Sequence, residues 1–195
     1  MSTTIRELVM RNRSCRRFDQ SVPVTRQTLE ELVDLARLSP SAANLQPLKY
    51  ILSCEPEMNA RIFPHLAWAG YLKDWPGPSE GERPAAYVVM LNDTEISRSA
   101  GCDHGIAAQS MLLGAVERGL GGCIIGSIQR KALREALGIP ERLKILLVVA
   151  LGRPAEKVVI DDMKPGGGIE YYRDDEDVHH VPKRSLKEMI VKPSR

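Results

Sequence analysis

The sequence predicts one domain in which helices pack with buried strands. Its 195 residues suit a single domain. After Thr25, which can cap a helix, apolar residues at positions 29, 32, 33 and 36 have the spacing of an amphipathic helix. Residues 85–91 and 145–151 are continuous apolar runs of strand length, as expected of buried strands. We therefore expect helices and strands to share one hydrophobic core.

Three further segments are predicted to be helical. Thr4 and Glu7 resemble a capping box before a short helix, and Ser127 can cap a helix that Gly138 ends. Residues 105–117 are apolar nearly all round, so this helix must be buried in the core or between subunits. Residues 185–191 are apolar but too short to fold alone, so they must dock on another surface.

The composition argues against several kinds of partner. A net charge of +2 is too balanced to indicate a nucleic acid or a membrane surface. No apolar stretch is long enough to span a bilayer, so we expect a cytoplasmic protein. The four cysteines form no C-x-x-C pair and should be reduced, and no two histidines have the spacing of metal ligands. We expect no metal site.

A cluster of four arginines surrounds Ser14, and these are Arg11, Arg13, Arg16 and Arg17. Guanidinium groups present forks of donors that match phosphate oxygens, and a serine hydroxyl can add one more. The cluster therefore predicts either a clamp for a phosphorylated ligand or a solvated basic turn. The residues alone leave both interpretations open.

Three later segments suit a phosphorylated heterocycle. Residues 40–47 supply small side chains together with the amides of Asn44 and Gln46, which can read a planar ring edge. Residues 121–126 offer backbone amides beside apolar side chains. Lys183 and Arg184 form a second basic pair. None of these segments is a dinucleotide fingerprint, because Ile124 occupies the third glycine position and the turn precedes its strand.

Two other segments have alternative interpretations. Trp68, Tyr71 and Trp75 lie beside a loop rich in proline and glycine, which predicts either a substrate-binding lid or a patch at a subunit interface. The acidic run 174–177 is expected to be solvated, with metal binding as the weaker alternative.

Four motifs in order resemble those of the nitroreductase family of FMN-dependent NAD(P)H oxidoreductases. They lie at residues 12–18 (Asn-Arg-Ser-Cys-Arg-Arg-Phe), 40–47, 119–126 and 183–186, so the resemblance covers nearly the whole chain. Asn12 stands where the family has an arginine, and Arg11 or Arg17 would have to compensate. Leu48 replaces a tryptophan.

The resemblance implies an α+β fold, an α/β sandwich in which helices flank a small mixed sheet. It implies one domain over residues 1–195, with a variable substrate lid at about 57–84. It also implies an intertwined homodimer in which residues 178–195 cross to the partner and add a strand to its sheet.

The resemblance also implies tightly bound, non-covalent FMN. The expected cofactor-binding residues are Arg13, Ser14, Arg16, Arg17, Pro40, Ser41, Ala42, Asn44, Gln46, Ile124, Ile125, Gly126, Lys183 and Arg184. Trp68, Tyr71 and Trp75 are expected to contact the substrate. No catalytic side chain is required, because the flavin carries the chemistry.

The implied reaction passes a hydride from NADH or NADPH through flavin N5 to a small oxidised acceptor, such as a nitroaromatic or a quinone, in ping-pong order. One alternative is a specialised member, either a reductive dehalogenase or a flavin-consuming enzyme. A second is a flavin-binding carrier or sensor without turnover. A third is a structural dimer whose basic turn binds nothing.

Overall fold

The computed structural model describes residues 3–164 and 166–193. The helices are α1 (Ile5–Arg11), α2 (Arg26–Leu38), α3 (Pro56–Ile62), α4 (Asp103–Glu117), α5 (Arg130–Leu137) and α6 (Leu186–Met189). The strands are β1 (Phe18–Asp19), β2 (Leu48–Ser53), β3 (Ala86–Asp93), β4 (Gly121–Ile125), β5 (Leu143–Pro154), β6 (Val158–Asp162), β7 (Tyr172–Arg173) and β8 (His179–Lys183). Across these ranges, none of the helices is both long enough and apolar enough to cross a membrane.

Five strands form an antiparallel sheet around β5. This strand pairs with β1, β3 and β4, and β2 pairs with the other side of β3. β2 therefore lies at an edge, where no further strand of the described chain pairs with it.

Helices cover both faces of this sheet. Successive side chains of β3 point to opposite faces, so each face of the strand packs against different helices. Val88 and Met90 pack with α2 and α4, whereas Tyr87, Val89 and Leu91 pack with residues of α3 and α5. All eight residues of β3 are buried. The predicted α/β sandwich is confirmed, and its two cores lie on opposite sides of one sheet.

A second, smaller sheet follows β5. β8 pairs in parallel with β6 and antiparallel with β7, so mixed pairing occurs here and not in the five-stranded sheet. The apolar residues beyond β8 are largely exposed, with Val191 exposed by 85%. The crossing of residues 178–195 to a partner stays a prediction, since β8 here pairs within its own chain.

The predicted helix starts are confirmed for α1 and α2 and wrong for α5. Thr4 and Thr25 cap the first two helices, and the Thr4–Glu7 capping box forms. α5 begins at Arg130 because residues 127–129 pair instead with residues 65–67. The Ser127 carbonyl accepts from the Ala67 N–H at 2.9 Å, and the Gln129 N–H donates to the His65 carbonyl at 2.9 Å.

Helix α4 is not covered on every side within one chain. Eight of its residues are buried against α2 and the sheet, but Ile106 remains 40% exposed. The apolar sequence of this helix allowed burial either in the core or between subunits. Coverage of the exposed Ile106 by a second subunit would correspond to the latter.

Candidate functional site

The arginine-rich loop between α1 and β1 is fixed against strand β4. The Cys15 N–H donates to the Gly122 carbonyl at 3.0 Å, and Ser14 forms a bridge to the same residue. Position 122 requires glycine, because a Cβ there would lie 2.6 Å from the carbonyl oxygen of Ala150. The loop therefore lies at a fixed place beside the end of α4.

The carboxylate of Glu156 anchors the backbone of this loop. Its side chain is only 1% exposed and accepts from the backbone N–H groups of Arg16 and Arg17, the latter at 3.1 Å. The other carboxylate oxygen pairs with Arg173 at 2.9 Å. Glu156 thus holds the backbone of the loop while its charge is matched by an arginine from β7.

Three cations of the candidate site line one cleft of about 270 Å³. They are Arg13, Arg16 and Lys183, and Ser14 lies between the first two. In the part of the chain that the structure describes, no carboxylate forms an ion pair with any of the three. Burial lowers the pKa of Arg13, and its Nε is buried without a hydrogen-bond partner. Positive charges that no carboxylate neutralises, two of them on half-buried arginines, favour binding of an anion such as a phosphate.

The other arginines of the cluster have partners elsewhere. Arg17 forms ion pairs with Glu82 and Asp177, and the first of these carboxylates is the main cause of the raised pKa of Arg17. Arg11 donates to the Val116 carbonyl at 3.3 Å. Neither is therefore placed to replace the arginine that the family has at position 12.

Asn12 itself is buried and donates to Gln109 of α4 at 3.3 Å. Lys183, and not Arg11 or Arg17, brings a further charge to the cleft. Arg184 is exposed on the chain that follows β8 and does not line this cleft.

A second cleft, of about 230 Å³, lies beside the first. The two clefts share Arg16, Ile124 and Tyr171, so together they form one trough. The second cleft is lined by Trp68 and by residues 123–127. Ile124 is 38% exposed towards this space, although its neighbours on β4 are buried. The trough is cationic at one end and is lined mainly by small, apolar and aromatic residues at the other.

The predicted lid packs against Arg173 of β7 and against Tyr171, which precedes this strand. The rings of Tyr71 and Tyr171 meet edge to face with their centroids 4.9 Å apart, and the guanidinium of Arg173 lies 4.6 Å from the Trp75 ring centroid. Trp68 lines the apolar cleft directly. Of the three predicted substrate contacts, Trp68 therefore lies at the trough, Tyr71 reaches it through Tyr171, and Trp75 packs on Arg173.

Residues 40–47 form a separate part of the surface. Pro40, Ser41 and Gln46 line their own cavity of about 140 Å³ together with Tyr50 and Asp103. The buried Asp103 carboxylate accepts from the Ser41 hydroxyl at 2.6 Å and from the Ala42 N–H at 3.0 Å. One chain does not bring this loop to the arginine cleft.

The backbone of this loop is strained. Ala43, Asn44 and Gln46 all have positive φ values, between 50° and 55°. Such backbone persists only where surrounding contacts hold it, and it concentrates at functional sites. Asp103 supplies those contacts, and the Gln46 amide also donates to the Asn44 side chain at 3.1 Å.

Several residues of the trough were not predicted from the sequence. They are Gln109 and Leu112 of α4, Tyr171, His179 and Val181. His179 is 1% exposed, and burial lowers its pKa to about 4. The one available signal was that His179 lies four residues before Lys183, which places both on the same face of a strand.

Residues 9–153 match the nitroreductase family. The chain belongs to this family. The NADPH-flavin oxidoreductase of Vibrio harveyi is 26% identical over 182 residues, which cover 85% of this chain and 71% of the relative. The crystal structure of a nitroreductase family protein from Streptococcus pneumoniae covers 97% of this chain and all of its own, at 18% identity and a TM-score of 0.70. A solved structure from Exiguobacterium sibiricum, in complex with FMN, covers 80% of this chain and 90% of its own, at 18% identity and a TM-score of 0.66. The predicted family and fold are confirmed.

Proposed function

We propose that this nitroreductase is an FMN-dependent enzyme that passes a hydride from NAD(P)H to a small oxidised acceptor, in ping-pong order. Family membership and the likeness to an NADPH-flavin oxidoreductase support this class of enzyme. The observation that carries the proposal is the trough, with unpaired cations at one end and an aromatic and apolar surface at the other.

The residues of the trough fit the two ends of FMN. Arg13, Ser14 and Lys183 would hold the phosphate, because charged donors and a hydroxyl converge there. The orphaned, buried Nε of Arg13 supports this assignment, since a buried donor without a partner is costly. Ile124 and Gly126 would lie along the planar ring, with Trp68 closing the cleft.

Each end of the trough has a separate task. FMN, when bound, supplies hydride acceptance and donation at its N5 atom. Arg16 lies where the two clefts join, so its charge would stabilise negative charge that develops on the adjacent ring edge. Tyr71 and Trp68 would keep water from the ring and give the nicotinamide and the acceptor a common apolar surface.

We propose further that the enzyme is a cytoplasmic homodimer. Ile106 on α4 and the apolar residues Leu186, Met189, Ile190 and Val191 are exposed, and strand β2 has an open edge. A partner that covers α4, with residues 178–195 crossing to its sheet, would bury these surfaces. The same assembly would bring residues 40–47 of one subunit to the trough of the other, and Ala42, Asn44 and Gln46 could then contact the ring.

The absorption spectrum of the purified protein tests the cofactor. We expect a flavin spectrum, or its appearance when FMN is added to colourless protein. A protein that neither carries nor takes up FMN contradicts the proposal. The remaining alternative is then a structural dimer whose basic turn binds nothing. Anaerobic NADH and NADPH are then added separately. Bleaching within seconds supports the enzyme, whereas a bound flavin that neither nucleotide bleaches supports the carrier.

The acceptor class is tested with quinones, nitroaromatics and halogenated phenols, each added to the bleached enzyme. Rapid return of the flavin colour with nitroaromatics or quinones supports the general oxidoreductase. Return with halogenated phenols alone, with release of halide, favours the specialised dehalogenase.

A further inference from the structure

We propose that His179 positions Arg16 for the bound cofactor by acting as a neutral hydrogen-bond acceptor. This inference rests on the proposed function, because it concerns a residue of the same trough. It adds a positioning residue outside the four motifs that identified the family.

Strand pairing fixes the backbone of His179, and an aromatic ring packs against its imidazole. The residue begins β8, where it pairs with Val158 of β6 and with Arg173 of β7. Its backbone N–H donates to the Lys157 carbonyl at 2.8 Å. Its ring packs against Tyr171, with the two ring centroids 5.3 Å apart. A side chain held in this way can orient another.

The hydrogen bond to Arg16 fixes the form of the imidazole. Nε2 of His179 lies 3.3 Å from Nη1 of Arg16. A guanidinium has donors only, so Nε2 must accept, which requires a neutral ring with its proton on Nδ1. Burial disfavours the charged form of the same ring, in agreement with this geometry.

A neutral acceptor orients Arg16 without neutralising it. Two neutral groups also contact its guanidinium, namely the Ser14 carbonyl at 3.3 Å and the Tyr171 ring, whose centroid lies 4.7 Å away. A carboxylate in place of His179 would pair with the guanidinium and reduce its attraction for an anionic ligand. The full charge of Arg16 therefore remains available where the two clefts join.

A double-mutant cycle on FMN affinity tests this inference. His179→Phe keeps a ring but removes the acceptor, whereas His179→Gln places an amide oxygen near the position of Nε2. We measure the Kd of FMN for the apoprotein by quenching of flavin fluorescence in the wild type, both variants, Arg16→Gln and His179→Phe/Arg16→Gln. We expect H179F to weaken binding about tenfold and H179Q by less than about threefold, as for a lost or retained hydrogen bond to a charged group.

The decisive comparison is made without Arg16. If His179 acts through Arg16, H179F causes no further weakening in the R16Q background. Equal weakening in both backgrounds, or none in either, contradicts the inference while FMN binding by the wild type upholds the proposed function. A wild type that does not bind FMN overturns both. His179→Leu replaces H179F in the cycle if the phenylalanine variant does not fold.

Discussion

At the scale of single residues, whether the positive charge of an arginine is available to a ligand depends on which carboxylates can reach it. Arg17 lies between Glu82 and Asp177 and forms an ion pair with each. The guanidinium of Arg16, its neighbour, contacts neutral groups and forms no ion pair with a carboxylate of the described residues. Two adjacent arginines thus have different tasks, since one ties distant segments together and the other can meet a ligand.

Lys183 tests the assignment of the phosphate end. Lys183→Gln should raise the Kd of FMN by about ten- to a hundredfold, because a hydrogen bond to a charged group contributes about 1.5–3 kcal/mol. Riboflavin, which lacks the phosphate, should bind the variant and the wild type alike. Lys131→Gln on α5 makes the same charge change outside the cleft and serves as the control. Equal losses for FMN and riboflavin would count against the assignment.

Glu156 should contribute strongly to stability. Glu156→Ala leaves Arg173 without its buried partner, together with two backbone N–H groups, so the free energy of unfolding should fall by about 3–5 kcal/mol. Glu156→Gln keeps an acceptor and should lose less. Urea unfolding of the apoprotein measures both. A loss below about 1 kcal/mol in the alanine variant would show that the loop is held by other contacts.

The sequence indicated the arginine cluster but not which of its arginines are paired with carboxylates. Glu82, Asp177 and Glu156 approach the cluster from positions 65 to 160 residues away, so only the folded chain decides which arginine is paired. The burial of His179 could not be predicted either, because a single histidine has no periodicity; its spacing from Lys183 indicated only a shared face of a strand.

At the scale of elements, the small sheet depends on a histidine held by two carboxylates. Nδ1 of His180 lies 2.8 Å from Asp161 on β6, and Nε2 lies 3.0 Å from Asp174 in the turn before β8. The Tyr172 ring stacks on the imidazole, with the two centroids 4.8 Å apart. Protonated His180 would therefore bind three segments of this sheet together.

This cluster predicts a dependence of stability on pH. Hydrogen bonds to Asp174 and then Asp161 raise the pKa of His180. Its stabilisation is therefore complete below the unfolded-state pKa of about 6.5 and is lost as pH rises through the higher folded-state pKa. Thermal unfolding of the wild type between pH 6 and pH 9 should show a fall in Tm that His180→Gln lacks. Parallel curves for the two proteins would contradict the prediction.

Elements with strong periodicity or a cap could be predicted from the sequence, and those defined by distant pairing could not. Thr4 and Thr25 gave correct helix starts, whereas Ser127 did not, because residues 127–129 pair with residues 65–67. The small sheet was missed because its strands have only two to five residues and show no clear alternation. The acidic run 174–177 was predicted to be solvated, and residues 175–177 are exposed; the pairing of Asp174 with His180 and of Asp177 with Arg17 could not be predicted from it.

At the scale of the whole molecule, one chain presents two half-sites. The trough contains the arginine loop, strand β4 and β8, while residues 40–47 lie around Asp103 on another part of the surface. The motifs could be recognised in the sequence because each is local. In the proposed dimer their meeting in space depends on a second chain, which no local pattern specifies.

The proposed assembly can be measured directly. Sedimentation velocity should give a dimer for the full chain, because the exposed apolar residues of the C-terminal segment would be buried against the partner. A chain that ends at Arg184 should dissociate at micromolar concentration and retain FMN less well. A monomeric full-length protein, or a truncated chain that dimerises equally well, would contradict the exchange of residues 178–195.

The contact between the lid and the small sheet has a consequence for the order of events during synthesis. Tyr71 meets a residue that the ribosome adds 100 positions later, and the cationic cleft needs both Arg13 and Lys183. Nascent chains can fold their first segments early, but the lid contact needs Tyr171 and the cleft needs Lys183. Cofactor loading therefore follows the synthesis of Lys183, and products that terminate before it should remain colourless.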